Sequence, residues 1–235
     1  MALQKGDFIL LDYVAKVKET GEVFDTTKEE TAKKEHLYKE GEIYEPKLVV
    51  VGEGWVLKAL DESLTAMEIG KTTSVEVPPD KAFGERDPEK VRRVPLKHLT
   101  AKGINPTLGM RVEYNDKAAT VRAVGAGRVL LDFNLPLAGK TLVYEMTVQK
   151  KLETISEKIA ALTHRRILAV EENKFKFTIR AKAVNIEMPE EAFYLEGIQV
   201  AKRGIATDIQ KFFPKITAVK FVEIFKAEPK GEKKA

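Results

Sequence analysis

The 235-residue chain, 43% hydrophobic, is long enough for two or three small domains with separate cores, and no run approaches the ~20 apolar residues of a membrane span. Its 40 basic and 36 acidic residues leave a net charge of +4, a mixture that argues against a dedicated nucleic-acid binder, which needs clustered basic side chains. Without cysteine, disulfides, thiol catalysis and cysteine-ligated zinc are excluded; the three histidines, His36, His98 and His164, lack metal-ligand spacing, so neither metal nor cofactor is expected.

The opening MALQKGDFILLDYV alternates and carries one lysine, so it reads as a strand rather than a signal peptide, and a cytoplasmic protein is expected. Asp7 to Val17 alternates between two faces, and Glu19-Thr20-Gly21-Glu22 turns it into Val23-Phe24-Asp25, a hairpin. On the residues alone, Tyr13 and Phe24 read as sheet core and Asp25 as a turn residue capping a loop. Thr26 to Glu45 is highly charged, a surface loop or short exposed helix that reads first as a merely solvated charge run and second as a segment whose Tyr38 and Tyr44 touch a bound chain. Pro46 to Val51 returns to strand character. Val56, Leu57, Leu60, Leu64 and Met67 then recur at helical spacing between Gly54 and Gly70, which predicts one short amphipathic helix. Lys71 to Val77 alternates and ends at Pro78-Pro79, a strand closed by a turn.

After Gly84 the composition changes to a charged linker, Glu85 to Lys90. VRRVPLKHL predicts a strand and one helical turn; Met110 to Tyr114, Ala118 to Val124 and Val129 to Phe133 alternate around the turns Asn115-Asp116 and Gly125-Ala126-Gly127. Leu137 to Leu152 is a further strand. From Glu153 the predicted order is α-β-β-α-β. Ile155, Ile159 and Leu162 form a helix face, Phe175, Phe177 and Ile179 a strand face, and Ala183 to Met188 another strand. A helix then starts at Pro189-Glu190-Glu191 and runs to Pro214, and Lys215 to Phe225 is the last strand.

Three separated stretches resemble the FKBP family of peptidyl-prolyl cis/trans isomerases: LDYVAKVKETGEVFDTT (Leu11 to Thr27), Gly52 to Gly84 with Val56-Leu57 opening its helix and the turn Pro78 to Gly84, and LAGKTLVYEMTV (Leu137 to Val148). The chain looks most like SlyD-type members, which carry an insert-in-flap domain after the A-[YF]-G turn. RVP, Leu108 to Arg111 and Asn134 to Gly139 match that insert, with Leu135 where the family usually has histidine. Long-type archaeal FKBPs have a comparable third domain. The resemblance implies an α+β protein. An FKBP half-barrel, an antiparallel sheet wrapping a short helix, would occupy 1–84 and 136–152; an insert-in-flap chaperone domain, 85–135; and a C-terminal α+β domain, 153–227, before a polar tail, 228–235.

By the same resemblance, Val56, Leu57, Leu60, Phe24, Phe83 and Tyr144 form a proline-holding wall, and the Leu57 N–H receives a substrate carbonyl. Tyr13 and Asp25 supply the polar rim. Lys47 and Val49 stand where aromatic side chains commonly line the pocket, and Leu60 replaces a floor tryptophan; Trp55 is out of register for that role. Leu96, Leu99, Met110, Leu130 and Leu135 are candidates for a surface that binds unfolded segments, or for the core of the insert. Two functions are compatible with these residues: a prolyl isomerase with chaperone ability, acting on unfolded or proline-containing polypeptides, and a holdase with a vestigial pocket. Contact of the basic C-terminal region with ribosomal RNA is a weaker third. A homodimer through Pro189 to Phe213 and Lys215 to Phe225 is expected from the apolar residues spread around that helix.

Overall fold

The computed structural model describes residues 2–226; residue 227 and the expected tail 228–235 lie outside the described residues. In chain order the elements are β1 (Phe8–Val17), β2 (Val23–Thr26), α1 (Glu29–Lys34), β3 (Lys47–Val50), α2 (Lys58–Leu64), β4 (Thr72–Val77), β5 (Val91–Pro95), α3 (Leu96–Thr100), β6 (Arg111–Tyr114), β7 (Lys117–Gly125), β8 (Arg128–Asp132), β9 (Leu142–Leu152), α4 (Ile155–Arg166), β10 (Lys176–Arg180), β11 (Ala183–Met188), α5 (Ile198–Phe212) and β12 (Ala218–Glu223). They form an α+β fold with three sheets.

The first sheet is five-stranded and antiparallel, in the order β2-β1-β9-β4, with β3 also paired to β1. β2 and β3 share one edge of β1: Val14 lies across from Thr26 and Phe8 across from Val50. The charged segment between them, including α1, therefore bulges from that edge. β9 returns on the other side of β1 and separates it from β4.

α2 crosses the inner face of this sheet. Leu60 and Leu64 pack there with Ile9, Leu11, Val49 and Met146, each buried side chain contributing roughly 1.5–3 kcal/mol. The helix is shorter than the apolar spacing predicts: Leu57 precedes it in extended conformation, and Met67 follows it in a turn, though buried. Asp61 explains the late start. Its buried carboxylate accepts the N–H groups of Gly52 and Gly54 at 2.8 and 3.0 Å, holding the preceding loop away from helical geometry.

Between β4 and β9 stands a four-stranded antiparallel sheet, order β5-β8-β7-β6, with its own small core of Val94, Leu99, Val121, Val129 and Leu131. Its two tight turns rest on Asn115-Asp116 and Ala126-Gly127, all with positive φ, the conformation that two-residue hairpins demand. Asp132, 1% exposed, closes the base of this sheet. It accepts from Arg86 at 2.9 Å, Arg122 at 3.0 Å and both the backbone and side chain of Asn134.

The last unit follows the order α-β-β-α-β, with the sheet β10-β11-β12, antiparallel in its first pair and parallel in its second. α4 opens with a capping box between Thr154 and Glu157. The long helix expected from Pro189 is broken. Pro189 begins only a 3-10 turn, Glu190–Ala192, and α5 starts after Gly197, whose φ of 74° is left-handed and interrupts helical winding. α5 buries Ile198, Ile205 and Ile209 within the chain, so most of the apolar side chains that suggested a dimer contact are already covered.

This unit packs on the outer face of the first sheet. Phe8, Leu48, Val50 and Leu152 join Ile159, Leu162, Ile205 and Ile209 in one core. Alternate residues of β1 and β3 thus face two different cores, and the strands carry unbroken apolar runs, Phe8 to Leu11 and Leu48 to Val51.

Candidate active site

The site forms where β1, β2, β3 and β9 meet the start of α2. Tyr13, on β1, donates from Oη to the Asp25 carboxylate at 2.6 Å. Lys47 Nζ donates to Tyr13 Oη at 2.8 Å and lies 5.2 Å from the Tyr13 ring centroid. Donation to a carboxylate and acceptance from an ammonium together fix the hydroxyl's orientation. Burial, and then the hydrogen bond and charge of Asp25, raise the Tyr13 pKa, so the phenol keeps its proton. Tyr144 is pushed up to about 12 by burial and by the Asp25 charge.

Tyr13 is held from behind. Its backbone N–H donates to Thr27 Oγ1 at 2.9 Å, and the Thr27 hydroxyl donates at 2.7 Å to buried Asp12, which also accepts from Gln149 at 2.8 Å. On the opposite wall, the Asp61-anchored loop delivers Val56 and Leu57. The Leu57 carbonyl accepts the first helical N–H groups, from Leu60 and Asp61, while its own N–H finds no acceptor among the described residues. An unpaired backbone donor beside an apolar wall suits an incoming carbonyl.

Tyr13, Asp25, Val49, Val56, Leu57, Leu60 and Tyr144 line one cleft of about 360 Å³, together with Met146 and Lys47. Two residues named from the sequence are not in its lining. Phe24 packs edge to face against Tyr144, with centroids 6.0 Å apart. Phe83 is exposed: after the 3-10 turn Pro79–Lys81 it is Ala82 that packs inward against the core. Asp61 and Asp12 were missed by sequence reasoning, and no local signal separates such buried carboxylates from surface acids. Trp55 does line the cleft, from the loop before α2, while Leu60 on α2 is buried against the sheet.

The surface candidates of the inserted sheet divide by burial. Leu99 is fully buried and belongs to that sheet's core, while Leu96 and Leu130 are half-buried. Met110 and Leu135 are exposed, and so is Leu108, at 76% the most open of them. The sequence marks Leu108 only as the start of a segment matching the insert, not as a surface candidate; it precedes Gly109, whose φ is 82°.

A family model described as FKBP-type peptidyl-prolyl cis-trans isomerase matches residues 1–149. The chain belongs to this family. A second model, described as FKBP26_C-terminal, matches residues 155–226. Among curated proteins, the chain is 33% identical over 147 residues to a short-type peptidyl-prolyl cis-trans isomerase of Methanocaldococcus jannaschii, covering 63% of this chain and 92% of that protein. It is 32% identical over 120 residues to the FKBP-type peptidyl-prolyl cis-trans isomerase SlyD of Treponema pallidum, covering 49% and 68%. With SlyD of Helicobacter pylori the identity is 29% over 125 residues, covering 51% and 66%.

The chain is therefore an FKBP-type peptidyl-prolyl cis-trans isomerase by family. Among the described residues no helix is long and apolar enough to cross a membrane, and no group of three or more His, Cys, Asp or Glu is placed to hold a metal ion.

Proposed function

We propose that the cleft isomerises X-Pro bonds of unfolded polypeptides without covalent chemistry. Rotation crosses a barrier of ~18–20 kcal/mol because twisting breaks amide resonance. A twisted amide is less polar than a planar one, so an apolar, water-poor cleft binds it in preference to either ground state. Val49, Val56, Leu60 and Tyr144 supply that surface, the Leu57 N–H holds a flanking carbonyl, and the Tyr13–Asp25 pair faces the rotating bond. The observation that carries the reading is the Tyr13–Asp25 hydrogen bond of 2.6 Å at the rim of the same cleft that holds Leu57.

The exposed Leu108, Met110 and Leu135 support a client-holding role for the inserted sheet, which would raise the local concentration of substrate. The open edge of β12, with exposed Val222, Ile224 and Phe225, supports a homodimer through the C-terminal unit. A monomeric mass by light scattering would refute it.

The Lys47 ammonium on Tyr13 favours a second reading, a holdase whose pocket is partly closed. The exchange rate of an X-Pro tetrapeptide by NMR separates the two. Acceleration by the native protein that is lost in Asp25→Ala establishes the isomerase; no acceleration, with aggregation of an unfolded client still suppressed, establishes the holdase.

A further inference from the structure

The cleft does not end at the proposed prolyl pocket. Its lining also takes in Trp55, Ala161 and Arg165 of α4, and Leu168 just after that helix. Its volume of about 360 Å³ falls within the ~300–1,000 Å³ of sites that take drug-sized ligands, so it accommodates more than one proline ring. Residues of the C-terminal unit and of the isomerase sheet thus line a single continuous space.

Arg165 is the distinctive group in that extension. Its guanidinium carbon lies 4.0 Å from the centroid of the Trp55 ring. The other basic side chains of the lining have partners: Lys47 bonds Tyr13, and His164 meets Glu45 at 2.8 Å. Its neighbour on α4, Arg166, is paired with Asp208. Of the acids in the lining, Asp25 is bonded to Tyr13 and Glu45 to His164, while burial pushes the Glu172 pKa up and so disfavours its charged form. Arg165 itself makes no ion pair or side-chain hydrogen bond among the described residues; burial and then the neighbouring Arg166 charge lower its pKa, partly offset by the Asp208 charge. Stacking on an indole leaves the edge of the guanidinium free, and that edge is a rigid fork matched to a carboxylate.

We propose that Arg165, stacked on Trp55, is a specificity-determining residue that receives an acidic side chain flanking the proline of a bound polypeptide. This rests on reading the cleft as the isomerase site. The C-terminal unit then shapes which X-Pro sequences are handled, and does more than support the sheet from behind.

The test walks Glu, Gln or Lys through each position on both sides of the proline in an otherwise neutral peptide. Exchange rates by NMR give the turnover of each peptide, and emission of Trp55, the chain's one tryptophan, gives binding. At one register the full-length protein should favour Glu over Gln by about 2- to 5-fold, the range of an exposed ion pair, and disfavour Lys. The ratio should fall to one in Arg165→Gln, invert in Arg165→Glu, survive in part in Arg165→Lys, and shrink with added salt. Because the ratio is taken within each variant, changes in overall activity do not enter it. Equal binding of Glu and Gln peptides at every register, or a preference that persists in Arg165→Gln, overturns the proposal. Failure of the isomerase reading is distinct: no peptide exchanges faster, while the Trp55 titration still reports the acidic preference.

Discussion

The ring of Phe8, at the start of β1, meets that of Phe212, at the end of α5, edge to face with centroids 5.1 Å apart. Phe212 also contacts Trp55 at 5.9 Å, so one aromatic cluster joins the isomerase sheet, the loop before α2 and the last helix. Phe8→Ala should destabilise the protein by about 3–5 kcal/mol, the cost of emptying a buried aromatic site. Because that core is shared, urea unfolding followed by Trp55 emission and by far-UV circular dichroism should lose stability together. A loss confined to one signal would show that the two units unfold independently.

The rim pair carries a prediction about turnover. Tyr13→Phe removes the donor to Asp25, and Asp25→Ala removes the acceptor; each deletes a charge-assisted hydrogen bond worth ~1.5–3 kcal/mol. A fall of about tenfold or more in kcat/KM for a prolyl peptide is expected in each. The double variant should fall little further, since the two act as a unit. Additive losses would argue for separate roles.

Asp61 positions the opposite wall without touching the cleft. Asp61→Ala leaves the Gly52 and Gly54 N–H groups without their carboxylate; both glycines are exposed, so the cost is that of the lost hydrogen bonds, about 0.5–1.5 kcal/mol each. The loop carrying Val56 and Leu57 should relax, raising KM more than it lowers kcat. Asp61→Asn retains one acceptor and should lie between. Kinetics and thermal melts of the two variants check both expectations.

Asp132 sets the acid limit of the inserted sheet. Burial raises its pKa, but the donors of Asn134 and the guanidinium groups of Arg122 and Arg86 outweigh this and hold it at about 2. An ordinary aspartate titrates near ~3.9. The depressed folded value means that the stabilisation is complete above about pH 4 and is lost as pH falls toward about 2. Methyl NMR signals of Val121 and Leu131 should broaden or shift over that range while those of Ile205 change less. In Asp132→Asn this pH dependence should disappear; its persistence would place the acid sensitivity elsewhere.

Much of the fold was legible locally. The β1–β2 hairpin, the four strands of the insert and the α-β-β-α-β order follow from period-two and period-3.6 patterning with glycine and Asn-Asp turns. Where local pattern misled, a longer-range contact had prevailed. Apolar spacing extended α2 back to Val56, but Asp61 captured the loop. Pro189 with its acids resembled a helix start, but Gly197 broke the winding. Phe83 followed a family turn, yet the turn points Ala82 inward.

The sequence by itself determined the family, the order of elements and seven side chains that line the cleft, because strand and helix periodicity are short-range and the motifs lie within them. Only the tertiary structure decided that Lys47 sits on Tyr13, that Asp12 and Asp61 brace opposite walls, and that Arg165 reaches Trp55 across 110 positions of chain. The contacts of Lys47, Asp12 and Asp61 join strands and loops brought side by side within the isomerase sheet, and that of Arg165 arises from packing the C-terminal unit on the outer face of β1 and β3. Which charges meet there depends on how two apolar surfaces, distant in sequence, settle against each other.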